Sequence, residues 1–268
     1  MDFNTLGGDE MKGLLALICS MAICGPAVAQ DQCSAFKGTT IAPKTFDQAV
    51  LSLNAPTPKG EFETTAAYQA RLAQAGSSGP LIISKKPEGS QYLEYDADQG
   101  AFAVKSYFFH NTNFPAWETF YHAKNGVEAS TLRNIDVTIA STDVATGSYS
   151  GQNGFGAKAT ITKITRTVKA IYDREARYDE DLFITKSSSL GYVPMSIEQA
   201  KVFKQQAKIA FLVMPKSPFV TRASFSYGKT TVSNPTDVTV DATVLNADIQ
   251  CAFLTDAANK VLEAYPTR

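Results

Sequence analysis

The chain of 268 residues carries 25 basic and 26 acidic side chains, a net charge of −1, and 44% of its residues are hydrophobic. This length allows one large domain or two small ones, and the hydrophobic content is that of a globular protein. The near-zero charge excludes proteins that bind nucleic acid or anionic surfaces through a strongly basic chain, so we expect no nucleic-acid partner.

The N-terminal region has the pattern of a secretory signal peptide. From Met11 the sequence reads "MKGLLALICSMAICGPAVAQ", with a basic residue, a short apolar run and the small residues Ala27-Val28-Ala29. The apolar run is shorter than the roughly 20 residues that span a bilayer. We therefore expect residues 1–29 to be removed, which leaves a periplasmic or secreted chain without a membrane span.

Two details of this region concern its processing. The ten residues before Met11, "MDFNTLGGDE", are acidic, whereas a signal peptide starts with basic residues, so we expect translation to begin at Met11. A lipoprotein signal ending at Cys24 is the alternative. The bulky Ile23 in front of that cysteine disfavours it.

The cysteines fit an exported protein. Cys19 and Cys24 lie in the signal peptide, so the mature chain keeps Cys33 and Cys251. Two cysteines in an oxidising compartment most simply form a disulfide, and a buried free thiol or a nucleophile is the alternative. We predict the disulfide.

Residues 30–80 are predicted to be an N-terminal segment with one short helix rather than a separate domain. The stretch "TTAAYQARLAQA" supplies a capping threonine, Thr64 or Thr65, at its start. Its apolar side chains recur at helical spacing: Tyr68, Leu72 and Ala75.

Alternation of apolar and polar residues dominates the predicted β-rich domain, residues 81–268. The first clear signal, "QYLEYDADQGAFAVKSYFF", predicts a hairpin with its turn at 96–100 and a second strand that extends as far as Phe108. The "DADQG" turn differs from a calcium loop, because its glycine comes one position early and the terminal glutamate is missing.

The best candidate for a ligand site follows this hairpin, in "HNTNFPAWETFYH". Aromatic faces next to amide groups are typical of sites that bind sugars or peptides, although most such clusters are core. The candidate residues are His110, Asn111, Asn113, Trp117 and His122. The histidine spacing does not match a zinc motif, so a metal site with Glu118 would require tertiary placement, and we predict no metal.

The stretch "GSYSGQNGFGAK" at 147–158 has nearly the glycine spacing of a phosphate-binding loop. Such a loop needs a lysine where Ala157 stands, and it needs a helix to follow. The sequence that follows alternates, as "NIDVTIAST" does before it. We therefore predict a bend or bulge between two strands.

The next segments offer a second chemical possibility and a second domain organisation. The acid run "DREARYDEDLF" from Asp173 could supply paired carboxylates, or it could be a solvated loop. The stretch "KSSSLGYVP" is the best linker for an alternative with two small β domains, divided near residue 190.

A helix is predicted from "SIEQAKVFKQQAK", because Ser196 and Gln199 have the spacing of a capping box. Its apolar stripe comprises Ile197, Ala200, Val202, Phe203 and Ala207. The run "IAFLVM" then predicts a buried strand, and Pro215 and Pro218 predict a turn after it.

The last strand signal is "TDVTVDATVLNADIQCAFL". Its apolar phase changes after Val244, which predicts a bulge or bend there. The later apolar set is expected to share the core face: Leu245, Ala247, Ile249, Cys251 and Phe253.

These elements predict an α+β, β-rich fold, with antiparallel sheet or sheets and one or two packed helices. The segments "EFETTAAYQARLA" and "GQNGFGA" resemble segments of uncharacterised exported bacterial proteins. The resemblance implies a bacterial envelope protein and no particular activity.

We expect a non-catalytic binding or structural protein of the bacterial envelope, without a cofactor, whose partner is an unknown protein or small ligand. The alternative is a carboxylate-dependent hydrolase. Such an enzyme needs two acids with separated pKa values in one cleft, and the sequence shows no pair that must converge.

Overall fold

The structure, a computed structural model, describes residues 32–53, 59–75, 79–87, 89–109, 135–173 and 189–267. Its helices include α1 (Phe46–Ser52), α2 (Thr65–Ala75) and α3 (Ile197–Gln206). Its strands are β1 (Leu81–Lys85), β2 (Leu93–Asp96), β3 (Ala101–Lys105), β4 (Ile135–Gln152), β5 (Lys158–Asp173), β6 (Ser189–Pro194), β7 (Lys208–Tyr227), β8 (Thr236–Thr255) and β9 (Val261–Pro266). The predicted signal peptide lies outside the described residues.

The strands form two sheets. The larger has the order β1–β7–β8–β5–β4, with β9 also paired to β8, and the smaller has the order β2–β3–β6. The pairs are antiparallel apart from β5 with β8, which is parallel. The predicted β-rich α+β fold is confirmed.

Strand β8 is the centre of the larger sheet. It pairs with β7 along one edge, and along the other it pairs first with β5 and then, from Cys251, with β9. Where β5 ends, the buried carboxylate of Asp173 accepts a 2.7 Å hydrogen bond from the backbone N–H of Ile249. A side chain thus satisfies the backbone of β8 at its change of partner.

Both faces of β8 are buried around its middle. One face packs in a small cluster with β5, through Val240, Ala242 and Val244. The other face packs in the main core, through Leu245, Ala247 and Ile249. The predicted phase change after Val244 is therefore wrong. Two buried faces place apolar side chains at successive positions, which looks like a change of phase in the sequence.

The irregularity in β8 lies at Gln250 instead. Cys251 pairs with Leu212, and Ile249 pairs with the next residue of β7, Val213, so Gln250 is the extra residue of a bulge. The bulge turns Cys251 to the face opposite Ile249, and the five side chains predicted to share one face are divided between the two.

Cys33 and Cys251 form the predicted disulfide, with their Cα atoms 5.7 Å apart. The N-terminal segment is joined there to the larger sheet by a cluster of Cys33, Ile41, Ala210, Leu212, Cys251, Phe253 and Val261. The two cysteines are 218 residues apart, and closing so long a loop stabilises a fold by about 5 kcal/mol on the chain-entropy model.

Helix α3 begins as the sequence predicts. The Ser196 hydroxyl accepts the N–H of Gln199, and the Gln199 side chain accepts the N–H of Ser196, which completes the capping box. This reciprocal pair satisfies two N–H groups that the start of a helix would otherwise leave unpaired.

The buried face of α3 is narrower than predicted. Ala200 and Phe203 are buried, and the Phe203 ring lies 5.5 Å from that of Phe102 on the smaller sheet. The expectation that Ile197 and Val202 also pack is wrong, because they are 46% and 55% exposed.

Strand β7 continues through Pro215 and Pro218, so the turn predicted there is also wrong. Besides the bulge at Gln250, its register with β8 is interrupted between Pro215 and Val220. Because a proline has no N–H to donate, an irregularity in the ladder accommodates both prolines without ending the strand.

Strands β2 and β3 form the predicted hairpin. Its turn is held by Asp96, whose Oδ1 accepts the N–H groups of Asp98 and Gln99. Phe108 is buried, but it lies in the 3₁₀ turn Ser106–Phe108, so the strand is shorter than predicted.

The linker of the alternative with two domains is partly a strand. Residues Ser189–Pro194 form β6 and pair with β3 in the smaller sheet. These six of the nine residues of "KSSSLGYVP" therefore belong to a sheet.

We predict that Phe203→Ala lowers the free energy of unfolding by about 3–5 kcal/mol, because a buried ring against Phe102 is replaced by a cavity. Val202→Ala, one position away on the exposed side of α3, is the control and should change it by less than about 0.5 kcal/mol. Urea unfolding of both variants measures the difference. Similar values for the two variants would contradict the observed orientation of α3.

Candidate functional site

The residues predicted to bind a ligand lie outside the described residues, so that prediction stays open: His110, Asn111, Asn113, Trp117 and His122. The two phenylalanines before them belong to the core. Phe108 and Phe109 are buried, and the Phe109 ring lies 5.4 Å from the Tyr265 ring. The start of this aromatic segment therefore serves packing.

Asp173 is the one member of the predicted acid run that the structure describes. Its carboxylate is buried and accepts the N–H of Ile249, as described above. This carboxylate therefore holds the sheet together where β5 ends. The other acids of the run, within 174–181, lie outside the described residues.

A groove with four lysines lies between the end of α3 and the end of β1. Its volume is about 680 Å³, which is within the range of small-molecule sites. Lys85, Lys86, Lys204 and Lys208 line it, and we call it the lysine groove. No Asp or Glu occurs among its described lining residues.

Two parts of the chain that are distant in the sequence bring the lysines together. Lys85 ends β1 and is followed by Lys86, Lys204 lies in the last turn of α3, and Lys208 begins β7. Strands β1 and β7 are antiparallel neighbours, with Lys85 opposite Ile209, so the end of one lies beside the start of the other.

The four lysines are not equivalent. The Lys208 ammonium donates to the carbonyl oxygen of Ala257 at 2.6 Å and to Oδ1 of Asn259 at 3.3 Å, which fixes it at one wall. Lys86 and Lys204 are exposed and form no hydrogen bond or ion pair with any described residue. These two cations are therefore available to an anionic group.

The end of α3 moderates the positive charge of the groove. The carbonyl groups in the last turn of a helix carry a partial negative charge, which stabilises Lys204 in that turn. The helix end offsets only part of the positive charge, because it carries about half a negative elementary charge and the groove has four lysines.

An apolar groove of about 630 Å³ adjoins the lysine groove and shares Gln206 and Ala257 with it. Its walls are mainly apolar and include Met195, Val202 and Leu262, and the acids Glu198 and Asp256 also line it. The two grooves together present ammonium groups beside an apolar surface. This arrangement suits a ligand that carries a negative charge on an apolar body.

The lysine groove has no counterpart in the linear sequence, which shows no basic patch. Its only local signals are the adjacent Lys85 and Lys86 and the four-residue spacing of Lys204 and Lys208. The sequence cannot show that these two pairs meet, because that contact depends on the pairing of β1 with β7.

The glycine-rich stretch is a turn between strands, as predicted. Residues 153–157 join β4 to β5, so a strand and not a helix follows them. Gly156 has a φ of 87°, which strongly favours glycine. Earlier in β4, the register with β5 shifts between Ala145 and Gly147, which is the predicted bulge.

The segment "EFETTAAYQARLA" builds the start of α2. The Thr64 hydroxyl accepts the N–H of Ala67, which confirms the predicted cap. The Glu63 carboxylate accepts the N–H of Gly60 and two hydrogen bonds, of 2.9 and 2.7 Å, from the Arg71 guanidinium. These hydrogen bonds, chiefly those from Arg71, lower the pKa of Glu63 to about 2.

In the described part of the chain, no group of three or more His, Cys, Asp or Glu side chains is placed to hold a metal ion. No helix there combines the length and the apolar character that crossing a membrane requires.

Comparison with protein-family models, with curated proteins and with solved structures finds no match to this chain.

We predict that Arg71→Met raises the pKa of Glu63 from about 2 towards the usual glutamate value of about 4.3, because the donor of two hydrogen bonds is lost. The lowered pKa means that Glu63 stabilises the start of α2 above about pH 4.5, and that this stabilisation disappears as the pH falls towards 2. A carboxyl NMR titration measures the pKa of Glu63 in the wild-type protein and in the variant. Gln69→Met on the same helix is the control, and a wild-type Glu63 that titrates near 4.3 would refute the pairing.

Proposed function

We propose that this chain is an exported, non-catalytic binding protein of the bacterial envelope, and that it binds a small organic anion in the lysine groove. The observation that carries the proposal is the pair Lys86 and Lys204, two exposed cations without a partner among the described residues. An anionic head group there would form charge-assisted hydrogen bonds with one or both.

The proposed ligand has an apolar part because the adjoining groove is apolar. A ligand with its charge between Lys86 and Lys204 would place its body past Gln206 and Ala257, against Val202 and the neighbouring side chains. Burying that body adds a hydrophobic contribution that an inorganic anion lacks.

The proposed export rests on the signal-peptide pattern in residues 1–29, and the Cys33–Cys251 disulfide supports it. Disulfides persist in oxidising compartments and are rare in the cytosol. The periplasm or the cell exterior is therefore the proposed location, where the ligand would be met.

The alternative, a carboxylate-dependent hydrolase, has less support. Such an enzyme needs two carboxylates that reach one cleft. The lysine groove has none among its described lining residues, and Asp173 is buried in the sheet, where it accepts the N–H of Ile249. The adjoining groove has Glu198 and Asp256, but Oδ1 of Asp256 accepts the N–H groups of Ala258 and Lys260, so this carboxylate holds a turn. Binding without catalysis is therefore the function we propose.

The test compares three probes: 1-naphthyl phosphate, neutral 1-naphthol and inorganic phosphate. We predict that the wild-type protein binds naphthyl phosphate most tightly in calorimetric titrations, because it combines the charge with the apolar body. The double variant Lys86→Gln and Lys204→Gln should weaken that binding by about tenfold or more, as expected when two charged contacts are removed.

The matched control is Lys201→Gln, which makes the same change on α3 at a residue that does not line the groove. It should alter the affinity by less than about twofold. Equal affinities of the wild-type protein and the double variant, or equal binding of all three probes, would overturn the proposal.

A further inference from the structure

The turn between β4 and β5, residues 153–157, is held rigidly by its own hydrogen bonds. Oδ1 of Asn153 accepts the N–H groups of Phe155 and Ala157, at 3.0 and 2.9 Å. The backbone N–H of Asn153 also donates to the carbonyl oxygen of Ala157, and that of Gly156 donates to Asn153. In this turn, which we call the Phe155 turn, every residue apart from Gly154 takes part in these hydrogen bonds, and Phe155 does so through its backbone alone.

The turn presents Phe155 to solvent. Its side chain is 99% exposed, although the backbone beneath it is fixed. An aromatic ring on a loose loop can fold back onto the protein as the backbone moves, whereas a closed turn leaves the ring only the rotation of its own side chain. The exposure is therefore a property of the fold, and it favours an external contact for the ring.

A second turn lies at the same end of the larger sheet. It joins β7 to β8, and the backbone N–H of Thr162 in β5 donates to the carbonyl oxygen of Pro235 within it. This second turn exposes Val232 and Lys229, and Lys158 directly follows the Phe155 turn. Two apolar side chains and two lysines thus project from one end of the molecule.

Positive charge dominates this end of the sheet. Residues 144–172 and residues 217–236, which include both turns, contain no Asp or Glu. Asp237 follows the second turn directly, and its carboxylate accepts a hydrogen bond from the Tyr149 hydroxyl. Apolar side chains with flanking lysines form the pattern of side chains that enter the interface of an anionic bilayer.

We propose that this end of the sheet docks on a bilayer that contains anionic lipid, with the Phe155 ring in the interface and Lys158 and Lys229 at the head groups. A bilayer suits this surface better than a protein pocket does. A projecting tip meets a flat, soft surface without a complementary shape, and the lysines match its negative potential.

The contact is peripheral and reversible, because one ring and two lysines anchor a protein far less firmly than a spanning helix. It is independent of the proposed ligand site. The lysine groove lies at the start of β7 and the Phe155 turn lies beside its end, so the 20 residues of that strand separate them. A docked molecule keeps the lysine groove away from the bilayer and open to ligand.

The experiment is cosedimentation of the purified exported protein with vesicles of pure phosphatidylcholine and with vesicles that contain phosphatidylglycerol. Wild-type protein should partition onto the anionic vesicles at low salt and be released by high salt. Phe155→Ala should reduce this partitioning at least about fivefold, and Lys158→Gln with Lys229→Gln should reduce it about tenfold or more.

Phe62→Ala is the matched control, because Phe62 is 94% exposed and lies outside both turns. It should bind like the wild-type protein. Phe155→Trp adds a second readout, in which anionic vesicles shift the added emission to shorter wavelength. Failure of the wild-type protein to bind anionic vesicles, or equal losses in the Phe155 and Phe62 variants, would overturn the proposal and leave a protein partner as the occupant of this tip.

Discussion

The larger sheet depends on the point along one edge of β8 where the pairing changes from β5 to β9. Three segments meet the strand within residues 249–251. The Asp173 carboxylate accepts the N–H of Ile249, the backbone N–H of Thr267 donates to the carbonyl oxygen of Gln250 at 3.1 Å, and Cys251 is bonded to Cys33. The end of β5, the end of the chain and the N-terminal segment are thus fixed at one place, and the bulge at Gln250 turns Cys251 towards its partner.

The length of the central strands separates two surfaces with different chemistry. Strands β7 and β8 have 20 residues each, so at about 3.3 Å per residue their ends lie roughly 60 Å apart. One end carries the lysine groove beside an apolar groove, which suits a small anion. The other carries the Phe155 turn, which suits an anionic surface. A rigid sheet between them allows both contacts at once.

Local patterns in the sequence predict local structure well. The capping box of Ser196 and Gln199, the Thr64 cap and the hairpin turn at 96–100 all form as predicted, because their hydrogen bonds join residues that are close in the chain. The face of Cys251 and the exposure of Ile197 could not be predicted. Both depend on which surfaces other segments cover, as does the lysine groove.

Native-state hydrogen exchange tests most directly the claim that β8 is the element on which the rest depends. We expect the amides of β8 that pair with β7 and β9, around Ala252 and Leu254, to exchange only through global unfolding, together with the N–H of Ile249. The amides of β4 near the Phe155 turn, from Val144 to Ser150, should exchange earlier, because that end of the edge strand is exposed. Exchange of Ile249 before those amides, or equal protection throughout the larger sheet, would contradict it.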